Sequence, residues 1–458
     1  MTKISHTDTP RTIRYGLKGD VPPNEGKREP ATPELINVGW KSRLMCDHDD
    51  GQPLSNLANA ITAFQYAPEW SGVLAFDEHA QRVVAGAAPP WGGRASDCPF
   101  DWSDVHDIYA ANWLQHQRIM VGKEIAGQAA FAVAREHSFH PIRDYLDSLQ
   151  WDGRERLDYW LKTYLGADAD TVEGIPGGRV FLMVIPDITR YTIAVGSCFL
   201  IAAVARIYCP GAKVDTCLIL EGGQGKLKST ALRTLFGGNW FTDMLPDIRT
   251  KDAAIQLNGK WCIEVAELSA FKPVDLAHTK MFMSRCTDRY RPPYEKHPKD
   301  VPRGCVFVGT TNDDEYLRDP TGGRRFWPVK TGTIDIPALE RDRDQLWAEA
   351  VARYNDGEPW WLDAEHEKLA AREQRDRYET HPWENQIAKW IAGRKTVSVD
   401  EILSDCLKLK PKEMGQPQKN VVASVLQSLG WERFRDRDGE QRPWRYRPKP
   451  QVGKKMSQ

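Results

Sequence analysis

The chain lacks several features that would narrow its class at once. No two of its nine cysteines (Cys46, Cys98, Cys198, Cys209, Cys217, Cys262, Cys286, Cys305, Cys406) stand at CxxC spacing, so the usual zinc signature is missing. They are odd in number and sit among apolar neighbours, as Cys217 does before Leu218-Ile219-Leu220, which fits reduced, buried thiols in a cytoplasmic protein. The first residues, MTKISHTDTPRT, hold no apolar stretch, so a signal peptide is not expected. No charge sign dominates: the formal net charge is −1, which excludes a surface that is basic throughout. Long hydrophobic runs are scarce. The best, Tyr191–Tyr208, is interrupted by Gly196, Ser197 and Arg206 and predicts a buried core helix rather than a membrane span. No internal repeat is visible, and no low-complexity run beyond an N-terminal tail.

What is present is a chain of 458 residues, long enough for two or three domains, with 41% hydrophobic and 27% charged residues as in ordinary globular proteins. Its 17 tryptophans are expected to be large core anchors. Residues 1–33 are polar and predict a disordered tail. Residues 34–185 read as a mixed α/β region, with strands at 73–76 and 82–85 around a turn and helices at 107–115 and 123–135. Residues 186–362 alternate strand and helix, the pattern of a parallel α/β sheet. A charged connector, 363–382, leads to a segment at 383–450 with three helical patterns (384–391, 399–407, 418–429) and two short aromatic strands, the layout of a winged helix, before a tail at 451–458. From residue 383 onward there are 16 Lys and Arg against 9 Asp and Glu, so this end is basic while the rest is acidic.

The strongest chemical signal is LILEGGQGKLKST (218–230), a buried strand running into glycines and then a Lys-Ser-Thr helix start. Backbone N–H groups in such a turn, Gly222-Gly223-Gln224-Gly225-Lys226-Leu227, can wrap a phosphate, and glycine permits the approach. Lys228 would then bridge the β- and γ-phosphates of ATP, and Ser229, followed by Thr230, would ligate Mg²⁺. One position departs from the pattern: Leu227 stands where glycine normally precedes the lysine. Sliding the register to Gly225-Lys226 is worse, because Leu227 would then replace the magnesium hydroxyl. A plain glycine-rich turn is the alternative reading.

Partners elsewhere weigh against that alternative. KWCIEVAEL (260–268) is an apolar strand with two acids; Glu267, at its end, is the first choice for the Mg²⁺ shell and the attacking water, and Glu264, three residues earlier on the other face, the second. VFVGTTN (306–312) is a strand ending in Asn312, which could hydrogen-bond water or the γ-phosphate. DPTGGRRFW (319–327) puts Arg324 and Arg325 on a glycine-flexed loop, where arginine reads phosphate bidentately.

Together with HPIRDYL…WDGRERL (140–157) and DRYRPPYEK (288–296), these motifs resemble the virulence-associated E family, P-loop proteins of phages, plasmids and genomic islands similar to superfamily 3 helicases. The resemblance covers about 190 residues of the centre. It implies an AAA+-type core and a homo-oligomeric ring, a hexamer first, that moves on single- or double-stranded DNA. It also implies Asn312 as sensor and Arg324 or Arg325 as a finger supplied in trans. It places a DNA-contacting hairpin at 285–296, with Arg289, Arg291, Lys296 and the stackable Tyr290 and Tyr294. Family members are often fused to a primase. Residues 1–190 carry no zinc motif and no clear primase carboxylate pair, which leaves a primase remnant, an oligomerisation collar or a DNA-recognition module as readings of the N-terminal region and a separate primase as a candidate partner. In the winged-helix reading, Lys419 and Asn420 begin the recognition helix, and Arg433, Arg435, Arg437, Arg442, Arg445 and Arg447 line the wing. The rival to a motor is a nucleotide-switched DNA-binding oligomer, which Leu227 favours.

Overall fold

The computed structural model describes residues 39–92, 98–168, 186–245, 247–248, 250, 253–266, 273–291, 297–317, 323–378, 382–435 and 444–449. The two expected tails, Glu267, Tyr294, Lys296, Arg437 and Arg442 lie outside them. Two compact units result: one of residues up to Phe76 with Val83–His137, the other of Asp77–Arg82 with Ser138 onward.

In the first unit the helices Leu57–Tyr66, Asp104–His116 and Lys123–Glu136 surround an alanine-rich core around Phe64, Trp70 and Leu114. Small side chains let the helices approach closely, and Trp70 fills the space left, 4.1 Å from the Phe64 ring and 5.5 Å from Trp113. Asn59 is fully buried because it replaces backbone partners: its Oδ1 accepts from the Met45 amide (2.8 Å), and its Nδ2 donates to the carbonyls of Met45 (2.7 Å) and Leu54 (2.8 Å).

The second unit is built on a five-stranded sheet in the order Phe326–Lys330, Cys217–Glu221, Val306–Thr311, Cys262–Ala266, Phe241–Thr242, every neighbouring pair parallel. Successive side chains of a strand point to opposite faces. Here both faces are covered, which is why the strands read as unbroken apolar runs rather than as alternation. Leu218, Leu220, Cys262, Val306 and Val308 join the core formed with the helices Asp187–Tyr208, Lys228–Phe236 and Ile336–Asn355. Cys217, Ile219, Ile263, Val265 and Phe307 face the other way, toward Phe282, Met283 and Tyr316.

The apolar run forms the central helix Asp187–Tyr208, as expected, and is largely buried. Arg206 is 1% exposed and donates to the carbonyls of Val214 (2.8 Å) and Arg303 (3.3 Å), so a buried cation is stitched to backbone inside the protein. Gly196 lets the helix meet the His140–Leu165 segment: a Cβ there would lie 2.9 Å from both Leu161 and Trp160. Ile142, Leu146, Leu157 and Trp160 belong to the sheet's core, so this unit takes in more of the chain than the stretch from 186. Trp261 and Trp347, their rings tilted by 35° and 4.2 Å apart, satisfy their indole N–H groups on the carbonyls of Ala203 and Leu235.

Toward the C-terminus, helices Glu384–Ile391, Val399–Glu401 (continued by a wider turn, Ile402–Cys406) and Gln416–Ser428 enclose Ile387, Ile402, Leu403, Val422 and Leu426. Gly430, at φ 82°, ends the last helix and turns the chain into an antiparallel pair, Trp431–Arg435 with Trp444–Pro448. The element order matches the sequence expectation within two residues.

Candidate functional site

The strand Cys217–Glu221 ends, the glycine turn follows, and the helix Lys228–Phe236 begins. Gly222 (φ 154°) and Gly225 (φ 78°) hold backbone conformations that favour glycine. Leu227 does too, at φ 61° and ψ 19°, with its side chain half exposed. The leucine thus takes up the left-handed conformation for which glycine is better suited, which is the physical content of the departure seen in the sequence.

Five polar side chains, from two strand ends and the helix start, meet here beside the glycine turn. Lys228 Nζ donates to the carbonyls of Gly222 (2.6 Å) and Gly223 (3.1 Å) and to Asn312 Oδ1 (3.0 Å). Ser229 Oγ donates to Glu264 Oε1 (2.7 Å), and Thr310 Oγ1 donates to the same oxygen (2.6 Å). Burial lowers the Lys228 ammonium below the usual lysine range, with the charge of Glu264 opposing.

Sheet parity explains why Glu264 reaches the turn. Glu264 shares the face of Cys262, and that face packs under the helix carrying Lys228 and Ser229. Glu264 pairs in register with Val308 on the central strand, and Thr310 and Asn312 follow at two-residue steps toward Ser229 and Lys228. Glu267, the first choice from sequence, lies outside the described residues; the second choice, Glu264, is the one placed at the loop. Thr310 went unnoticed in the sequence, although the same two-residue step from Val306 and Val308 would have found it.

The donor set suits Mg²⁺. Glu264 is 1% exposed and, among the described residues, its Oε2 has no hydrogen-bond partner, while Oε1 accepts from a serine hydroxyl. One carboxylate and one hydroxyl, completed by phosphate oxygens and water, is how this ion is commonly held. Among the described residues no cluster of three or more His, Cys, Asp or Glu could hold a metal.

The other predicted residues are dispersed. Arg324 is exposed on the turn Gly323–Arg325, and Arg325 donates from Nε to Ser284 Oγ (3.0 Å). Of the segment expected as a hairpin, 285–296, Thr287–Tyr290 forms one strand, which pairs with Lys299–Pro302 beyond that segment, and Arg289 pairs across the two with Asp300. Arg291 is exposed just beyond. Tyr290, expected to be stackable, is 5% exposed, because it falls on the inward side of the strand. Arg303 went unpredicted: it is buried, grips both oxygens of Asp288 (2.8 and 2.6 Å) and fastens the base of the hairpin. In the C-terminal segment Lys419 pairs with Asp400 (2.8 Å), Arg445 with Glu401 (3.0 Å), and Asn420 accepts from Gln416. Arg435 is exposed, its guanidinium 5.2 Å from the Trp444 ring, with Arg433 at 4.1 Å.

Fold and site together define a mixed α/β protein on a parallel sheet, with its polar centre at the strand ends beside a glycine turn. The profile of the Virulence-associated protein E-like domain matches residues 146–379, just over half of the chain, and the protein belongs to that family. No curated protein matches it. Among solved structures it is similar to the NrS-1 C terminal region (305-718) in its apo form, at 10% identity and a TM-score of 0.40, covering 78% of this chain and 87% of that one. It is also similar to JCV helicase with inhibitor bound, at 14% identity and a TM-score of 0.25, covering 62% and 82%.

Proposed function

We propose that the protein is an ATP- and Mg²⁺-dependent motor of the P-loop, AAA+ class that acts on DNA in the replication of a mobile element, as a homo-oligomeric ring, a hexamer first. The observation that carries this reading is the convergence of Lys228, Ser229, Glu264 and Asn312 on one glycine turn. The backbone amides of the turn would receive the β-phosphate at the start of a helix, where the dipole favours negative charge. Lys228 would exchange the Gly222 and Gly223 carbonyls for phosphate oxygens. Ser229 and Glu264 would share the Mg²⁺ shell, the ion neutralising charge that develops on the phosphoryl oxygens. Asn312 would release Lys228 and orient water for attack on the γ-phosphate.

In this reading residues 186–362 carry the motor, Arg324 or Arg325 reaches the nucleotide of the next subunit, and 363–382 connects to a winged-helix-like domain at 383–450. DNA would meet the 287–302 hairpin through Arg289 and Arg291, and the C-terminal segment through Arg433, Arg435 and Trp444. A primase would act as a separate partner, and the site of action would be cytoplasmic. A second reading, an oligomer that binds nucleotide as an assembly switch without turnover, is favoured by the left-handed Leu227. ATP turnover with single-stranded DNA separates the two. The motor requires turnover in wild type, none in Lys228→Ala, and retained ATP binding without turnover in Glu264→Gln. Wild-type protein that binds ATP and never hydrolyses it leaves the switch standing and removes the motor.

A further inference from the structure

The polar centre uses one face of the sheet; the other face carries a second, buried polar network at the same strand end. Glu221, the last residue before the glycine turn, is 5% exposed, and its carboxylate points away from Lys228. Arg377 grips it, Nε to Oε1 at 2.9 Å and Nη2 to Oε2 at 3.0 Å, while the Tyr316 hydroxyl donates to Oε1 at 2.7 Å. The Glu221 carbonyl accepts from both the amide (2.8 Å) and the hydroxyl (2.7 Å) of Thr331. Every oxygen of Glu221 is therefore held, which fixes the direction in which Gly222 leaves the sheet. A Cβ on Gly222 would lie 2.8 Å from that same Thr331 hydroxyl.

The other end of Arg377 is tied to a different part of the chain. Its Nη1 donates to the Glu373 carboxylate (2.5 Å), and it caps the helix Ala364–Asp376 that leads to the C-terminal segment. Its own carbonyl accepts from the amides of Tyr316 (3.1 Å) and Leu317 (3.0 Å), in the loop that follows Asn312. One residue thus bridges the start of the turn, the chain beyond Asn312, and the connector. A buried ion pair of this kind is a poor stabiliser, since desolvation offsets its attraction, but it fixes orientation sharply. The Tyr191 hydroxyl is fully buried within electrostatic reach of Glu221, Arg377 and Glu373, and has no hydrogen-bond partner among the described residues.

We propose that Arg377 is a positioning residue that sets the glycine turn through Glu221 and transmits its nucleotide state to the connector helix Ala364–Asp376. This rests on the reading of the turn as a nucleotide site. Filling the turn draws Lys228 from the Gly222 and Gly223 carbonyls, the take-off of Gly222 shifts, and Arg377 repartitions between Glu221 and Glu373. Such coupling is reciprocal, so whatever the C-terminal segment binds alters nucleotide affinity by the same factor.

Hydrogen exchange on the full chain, with and without a non-hydrolysable ATP analogue and Mg²⁺, tests this. In wild type the analogue slows exchange in the turn at 222–228 and also changes exchange at 364–378. In Arg377→Lys and in Glu221→Gln, which keeps the side chain's volume, the turn is still protected at saturating analogue while the change at 364–378 is lost. A wild-type turn that is protected with no change at 364–378 overturns the proposal, as does an Arg377→Lys protein that keeps the full change. If the analogue leaves the wild-type turn unprotected, the nucleotide reading itself fails, and the proposal with it.

Discussion

Replacing Leu227 tests the local geometry on which the site depends. Leu227 sits at φ 61°, ψ 19° as the residue before the helix Lys228–Phe236, and its side chain is 49% exposed. For a residue with a Cβ this conformation costs about 1–2 kcal/mol. Glycine escapes that cost but brings extra freedom to the unfolded chain, worth roughly 0.5–1 kcal/mol against it. Leu→Gly and Leu→Ala lose the same side-chain contacts, so their difference isolates the backbone. Glycine should be the more stable by about 0.5–1 kcal/mol, the reverse of the usual ranking of the two residues. For a unit of this size that is a difference in Tm of roughly 2 °C, readable by scanning calorimetry of the transition that involves the sheet. The glycine turn, with Lys228 on the Gly222 and Gly223 carbonyls, should also be intact in Leu227→Gly. If Leu227→Ala proves as stable as Leu227→Gly or more so, residue 227 does not occupy the left-handed region, and the account of the turn is wrong.

Removing the Thr310 hydroxyl in Thr310→Val leaves Glu264 Oε1 with Ser229 alone. At about 1.5 kcal/mol for a hydrogen bond to a charged group, the Mg²⁺ concentration for half-maximal turnover should rise roughly tenfold, and Thr310→Ser should restore it. An unchanged Mg²⁺ titration would show that Thr310 plays no part. Gly196→Ala drives a methyl into Leu161 and Trp160 at 2.9 Å and should destabilise by about 1–3 kcal/mol in urea unfolding; a neutral outcome would mean that the helix and the 157–165 segment separate easily. His79 is enclosed beside His140, and burial, then the neighbouring imidazole, lower its pKa from 6.5 to about 3. Between those values the unfolded chain binds the proton and the folded one does not, so stability is full above pH 6.5 and falls as pH drops toward 3. His79→Asn should flatten that slope; an equal slope in both proteins would contradict the burial. Trp444, 48% exposed beside Arg433 and Arg435, should serve as a base-stacking face, and Trp444→Ala should weaken single-strand binding roughly tenfold at fixed salt. Unaltered affinity would move the DNA contact elsewhere.

The sequence by itself determined the local grammar. An apolar run ending in Gly222-Gly223 and followed by Lys228-Ser229-Thr230 forms strand, turn and helix because each step is set by neighbours a few residues apart. The same holds for the central helix, for the three helices and strand pair after residue 383, and for Asn312 at the end of its strand. Sequence left two acids open, Glu264 and Glu267, because the face of a strand that meets the glycine turn depends on which helix covers it. That the helix Lys228–Phe236 packs on the side of Cys262 and Glu264 is a property of the assembled sheet. Arg377 was beyond any reading of pattern: it is one arginine among many in a charged helix, 156 residues from Glu221, and nothing local marks it. Tyr290 looked free to stack for the converse reason, since alternation along a strand names two sides but not which one is inward. Contacts between distant segments are fixed only when strands take their order and helices their faces, and in this chain those contacts bring Glu264 to Ser229 and Arg377 to Glu221.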